Sequence, residues 1–242
     1  MKDRMFEMYK SISVGNNQIC SECNNEGALG KPVSIYFIGK NFHSSDDTIL
    51  FVGKTAVGGL DVGPFVDDLF TDATAFGELS LDLKEKNAKT RAFYSYTNEI
   101  VTQYYGSFEI GKQFIALTNL VKCNNASTKD ETSYHIMEHC INSLRVTWRE
   151  IEILKPKRII FYTGNTDYDD FIENFEPENY DDYFPIEGDR SGPWWHGRYV
   201  DENQVSICDI LRINHPDRMR YIGGNAKENY ISKVVDWLHK TK

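Results

Sequence analysis

Residues 114–125, FIALTNLVKCNN, and residues 133–164, SYHIMEHCINSLRVTWREIEILKPKRIIFYTG, together decide the fold. The first stretch is a strand-like apolar run that ends in Thr118-Asn119 and passes on to Cys123. In the second, apolar positions 137, 140, 141, 144, 148, 151 and 154 recur at helical spacing. Pro156 cannot continue a helix, so the helix stops before it. Arg158 to Tyr162 (RIIFY) then reads as a buried strand. Strand, helix, strand is the unit of an open α/β sheet, whose ligands bind at the carboxyl ends of the strands. Asn119 and Cys123 fall at such an end.

Working outward, Thr48–Val52 (TILFV) and Val205–Ile213 (VSICDILRI) have the same buried-strand composition. The expected fold is a three-layer α/β/α domain. Its mostly parallel sheet of about four strands lies near 49–52, 114–119, 158–162 and 205–212. Val33–Ile38 (VSIYFI) reads as a strand or hairpin arm. A helix is expected around Thr97–Tyr105. Lys227–His239 reads as a closing amphipathic helix with Tyr230, Ile231, Val234, Val235 and Leu238 on one face. One domain spanning 1–242 is expected, with an acidic, aromatic insertion at about 165–203.

The 242 residues are 40% hydrophobic and 13% aromatic, enough for a sizeable core. A formal charge of -9 opposes a broad duplex-DNA footprint. A local basic strip can survive within it, and Lys84, Lys86, Lys89 and Arg91 are either a solvated face or phosphate contacts. The first residues, MKDRMFEMYK, lack the apolar core of a signal peptide. No apolar run approaches the roughly 20 residues that span a bilayer. A cytoplasmic monomer without membrane attachment is expected. There are five cysteines. In a reducing compartment they are thiols or metal ligands rather than disulfides. Cys208, inside VSICDI, reads as core.

Several residues carry two readings. Cys20-x-x-Cys23 fits a metal site or a redox pair, and Cys140 on its apolar stripe fits a ligand or a packed thiol. Four thiolates suit iron–sulfur or zinc equally. The glycines in GKTAVGG (53–59) allow a tight connection or a close ligand approach. Phe65 is a core ring or a stacking platform. Asp67 and Asp68 complement a helix dipole or do chemistry. His215, before Pro216, is a loop residue or a donor.

Taken in order, these pieces form a set: Cys20 and Cys23, FVGKTAVGGLDVGPF (51–65), Thr118-Asn119, Lys122-Cys123, Cys140, Lys155-Pro156, Gly164 and Asn214-His215-Pro216. The set resembles the uracil-DNA glycosylase superfamily, most closely its iron–sulfur (family four) class. The resemblance implies a [4Fe–4S] cluster on Cys20, Cys23, Cys123 and Cys140, with zinc as the lesser alternative. It makes Gly53, Lys54 and Thr55 part of the water-activating and base-binding loop, and Phe65 the ring that stacks on a flipped base. The family's loop has an acid where this chain has Lys54, and a proline that is absent here. A related class of these enzymes has an aspartate three residues after the phenylalanine, which is where Asp68 stands; Asp61 is the second candidate.

Hydrolysis of an N-glycosidic bond needs a flipped base, a reader of its edge, a stabiliser of its departing charge and a water. Asn119 has the donor and acceptor that suit an imide edge. Phe65 offers a stacking face, His215 an oxyanion-type donor, and Asp68 or Asp61 a carboxylate for water. The expectation is a hydrolase that removes uracil or another altered base from DNA, single-stranded DNA included. The alternative is a catalytically inactive module that binds nucleic acid or a modified base.

Overall fold

The computed structural model describes residues 1–28, 32–57, 92–125, 132–164, 167–173, 182–183, 187–188, 193–200, 206–219 and 225–242. Asp61, Phe65, Asp67, Asp68 and the basic residues 84–91 lie outside this set.

The helices are α1 (Lys2–Ser11), α2 (Gln18–Asn25), α3 (Ala92–Tyr105), α4 (Phe108–Gly111), α5 (Tyr134–Met137), α6 (Val146–Leu154), α7 (Tyr168–Glu173), α8 (Pro216–Met219) and α9 (Ala226–Lys240). The strands are β1 (Phe37–Ile38), β2 (Ile49–Val57), β3 (Ile115–Asn125), β4 (Arg158–Phe161), β5 (Asp182–Tyr183), β6 (Glu187–Gly188), β7 (Trp194–Val200) and β8 (Ser206–Ile213). The sheet runs β1-β3-β2-β4-β8-β7-β5, with β6 also on β7. Its centre, β3-β2-β4-β8, is parallel. β1 and β7 flank that centre antiparallel.

Period-two alternation sorts the strand residues into two cores. Leu50, Val52, Ala116 and Phe161 face α1, α5, α6 and α7. Phe51, Leu117, Ile160 and Leu211 face α3 and α9. This is the expected α/β/α sandwich, wider than four strands. Within the acidic, aromatic stretch after Gly164, β7 joins the sheet and pairs along β8 from Trp194↔Ile213 to Val200↔Ser206. Trp195 is fully buried there.

Three local expectations change. The stripe from Ser133 to Leu154 is not one helix. It is α5, a π-helical turn (Glu138–Ser143), a left-handed Arg145 and then α6. The stripe still works, because Met137, Cys140, Ile141, Trp148 and Ile151 all pack inward. α3 begins a turn earlier than Thr97, since Ala92, Tyr96, Ile100 and Tyr104 form one buried row. And β2 does not end at Val52: it continues beside β3 to Val57↔Asn125, past a bulge at Thr55/Ala56.

Arg158 is also buried, and its guanidinium meets Asp47 at 2.5 Å. The face toward α1 and α6 holds a larger polar network. Glu150 of α6 is 0% exposed. It accepts from Lys122 Nζ at 2.7 Å, from Thr118 Oγ1 at 2.7 Å and from the Tyr9 hydroxyl. The Ile35 amide donates to Tyr9 Oη at 2.8 Å. A buried charge survives only when it is paired and hydrogen-bonded, and this network ties α1 and α6 to β3.

Candidate functional site: a crevice at the strand ends and a four-thiol cavity

Among the parallel strands, β2 comes first in the chain. β3 lies on one side of it, β4 and then β8 on the other. In such an order the topological switch point falls between the first and third strands, where a crevice opens at the carboxyl ends. β4 stops pairing with β2 at Phe161↔Val52, closed by Tyr162 N–H to Val52 O at 2.8 Å. Beyond Val52, therefore, β2 and β3 project past β4, and Gly53 is the first residue over the step.

Gly53 sits opposite Asn119 in the β2–β3 register. A Cβ on Gly53 would lie 2.3 Å from Asn119 Oδ1 and 3.3 Å from the Phe93 ring. Only glycine lets the Asn119 amide and that ring come together here. Gly53→Ala should displace the amide while the strand still forms. The expected result is loss of ligand discrimination at Asn119 with a Tm near wild type; an unaltered ligand preference would contradict this geometry.

Phe93, half-buried in the first turn of α3, is the hub of the crevice. It meets Tyr162 edge-on at 5.3 Å, Tyr94 edge-on at 5.3 Å, and His215 at 6.5 Å with the rings 30° apart. Tyr36 completes the aromatic wall at 6.4 Å. Burial pushes the phenols of Tyr36 and Tyr162 well up, so the wall is neutral. His215 follows β8. Its Nδ1 accepts the Asp217 amide at 3.2 Å. A nitrogen that accepts carries no proton, so this contact assigns the neutral ring's hydrogen to Nε2. The Asp217 carboxylate lies 3.6 Å from Nδ1. Gly164, at φ +68°, lets the chain leaving β4 pass close to Asn214.

The structure thus places Gly53, with Asn119 opposite it, and His215 near the Phe93 ring. Lys54 alternates to the opposite face, where its ammonium lies 5.5 Å from the Tyr168 ring. Thr55 is engaged with β3, donating to the Cys123 carbonyl at 2.8 Å. Phe93 was not singled out from the sequence. Its signal is present in RAFYSY (91–96), an aromatic run just ahead of the expected helix.

The second feature lies toward α2. Cys20, Cys23, Cys123 and Cys140 line one small cavity, with Val14, Pro32, Lys122 and Leu144 around them. The Asn17 side chain caps α2 through the Cys20 amide at 2.8 Å, so the helix presents Cys20 and Cys23 inward. β3 supplies Cys123, and the π-turn supplies Cys140. Two amides already point at sulfur: Gly15 to Cys20 Sγ and Lys122 to Cys140 Sγ, each 3.2 Å. His139 Nδ1 lies 3.5 Å from Cys23 Sγ. The Cys123 thiol, and after it His139, lower the Cys23 thiol to about 6 against the opposing effect of burial. Burial raises Cys140 to about 12 and also raises Cys20. All five cysteines are unpaired by disulfide. Cys208 is buried in β8 and does not line the cavity. Among the described residues, no three of these thiols lie within 4.8 Å of one another.

Compared with known proteins, the chain matches no family model and no curated protein.

Proposed function

We propose that this protein is a uracil-DNA glycosylase-like hydrolase that removes uracil or another altered base from DNA. One observation carries the reading: Asn119, across from Gly53, and His215 both lie near the Phe93 ring at the carboxyl ends of the parallel strands. A base turned out of its strand would stack on Phe93. Stacking of this kind is worth about 1–3 kcal/mol per base. Asn119 would read the imide edge with its amide. His215 Nε2–H would donate to the carbonyl oxygen that gains charge as the glycosidic bond breaks. Water would add to the sugar carbon, and its proton would pass to a carboxylate. Lys54 cannot take that role as an ammonium, and it faces away. Asp68 is assigned the role, with Asp61 second, from their offsets in the sequence. The charge of -9 favours single strands over a duplex, since fewer phosphates then approach an acidic surface.

Cys20, Cys23, Cys123 and Cys140 would hold a [4Fe–4S] cluster. When bound, it would join α2, β3 and the π-turn through four iron–thiolate bonds. The amides on Cys20 and Cys140 fit this, because hydrogen bonds to sulfur stabilise thiolate ligands. A lone tetrahedral zinc, with Zn–S near 2.3 Å, needs sulfurs roughly 3.8 Å apart; among the described residues no three of the thiols approach one another that closely. Protein purified without reductant should be brown. Cys123→Ala should abolish the broad visible absorbance; a colourless wild type containing stoichiometric zinc would replace the cluster with zinc.

The test is cleavage of end-labelled uracil-containing strands, single and double, followed by alkali. Wild type should cut the single strand at uracil. Asp68→Asn should bind it without cutting, because the lost contact belongs to the transition state. Wild type that binds such strands and never cuts them would favour the inactive binding module.

A further inference from the structure

Glu22, His135 and His139 form a cluster on the surface beside the thiol cavity. One ligand atom from each lies within 4.8 Å of the other two. The imidazole centroids of His135 and His139 are 3.9 Å apart. Each ring has a carboxylate near it: His135 Nε2 is 3.5 Å from Glu26, and His139 Nε2 is 3.8 Å from Glu22. We propose that Glu22, His135 and His139 form a binding site for a divalent transition-metal ion of the zinc class, distinct from the four thiols.

The donor set supports this. Two imidazoles and one carboxylate suit zinc, cobalt, nickel or copper and are poorly suited to magnesium or calcium, which prefer oxygen alone. Three protein ligands leave a position for water or for Glu26. The backbone explains how the set arises. α2 turns Cys20 and Cys23 inward, and Glu22 between them faces solvent. Ser133 caps α5 through the Ile136 amide at 3.2 Å. It also donates to Glu26 at 2.8 Å, drawing α5 onto α2. The wide turn that follows places His139 near His135 while Cys140 points inward. π-Turns of this kind occur frequently at functional sites.

The placement also gives the ion a role. Glu22 is on α2, which carries Cys20 and Cys23. His139 precedes Cys140 on the π-turn. An ion bound to all three therefore clamps two of the elements that bring cysteines to the cavity. Any ligand that binds only the folded state stabilises it, so metal should raise the Tm as well as bind.

Cobalt(II) is the direct probe, titrated into the purified full chain and followed by absorption and thermal unfolding. The expected result is one ion bound beyond any metal already held by the thiols. Its d–d bands should appear without thiolate-to-cobalt charge transfer, and the Tm should rise. His135→Ala should weaken binding at least tenfold and remove the Tm rise. His135 is a half-exposed surface residue paired with Glu26, so the visible absorbance of any centre on the cysteines should persist. Glu22→Gln should weaken binding with the same spectral signature. Charge-transfer bands from sulfur, or equal titrations for wild type and His135→Ala, would overturn the proposal. So would the absence of binding beyond the thiols.

Discussion

Glu150→Ala should lower stability by about 3–5 kcal/mol, the range for removing one partner of a buried ion pair. Lys122 is 1% exposed and its ammonium has Glu150 as its anionic partner at 2.7 Å. Burial already pulls the Lys122 pKa below its usual value against the support of Glu150. Without the carboxylate, Lys122 must either lose its proton or carry an unpaired charge in the core. Thr118 and Tyr9 lose their acceptor at the same time. For a domain of this size, 1 kcal/mol moves Tm by about 2–4 °C, so a drop of roughly 6–20 °C is expected. Tyr9→Phe removes a donor to the buried carboxylate and the acceptor of the Ile35 amide, and should cost about 2–4 kcal/mol. Thermal unfolding followed by circular dichroism measures both. A Glu150→Ala protein with wild-type Tm would mean the network contributes nothing.

His215→Ala should lower kcat on a uracil-containing single strand about 10²–10³-fold, the range for removing one oxyanion donor. The assignment depends on the tautomer. The Asp217 amide occupies Nδ1, which leaves the proton of the neutral ring on Nε2. A donor used mainly as charge develops affects kcat and kcat/KM alike and leaves binding nearly unchanged. Single-turnover rates and a separate binding titration should therefore diverge. The variant should melt like wild type, because His215 lies in a loop after β8. A variant with a raised KM and an unchanged kcat would make His215 a binding residue only.

The parallel centre of the sheet was legible because β2, β3, β4 and β8 are dense in β-branched and aromatic residues. Periodicity also found the inward face of Cys140. It could not find the break at Arg145, whose left-handed backbone leaves no trace in an apolar stripe that continues across it. The four thiols come together across more than a hundred residues. The expectation was convergence on one metal centre; the structure shows the four lining one cavity, and the centre itself is the proposal. β7 lies inside the stretch expected as an acidic, aromatic insertion, and acidic residues surround it in the sequence. Its membership of the sheet depends on pairing with β8, a long-range fact that composition does not encode. Phe93 was missed for a related reason: it becomes the crevice's hub only when α3 is laid over the end of β2. The partnership of Lys122 with Glu150 joins positions 28 apart on different elements, and neither residue looks buried in the sequence.

Hydrolysis of an N-glycosidic bond at the Asn119–Phe93–His215 site is the proposed activity. Its most direct measurement is the chromatographic release of free base from a uracil-containing single strand. The wild-type chain should release uracil and leave an abasic site, in amounts that rise with time and fall sharply with Asn119→Ala. A wild-type chain that releases no base from uracil-containing or otherwise altered strands would contradict the claim.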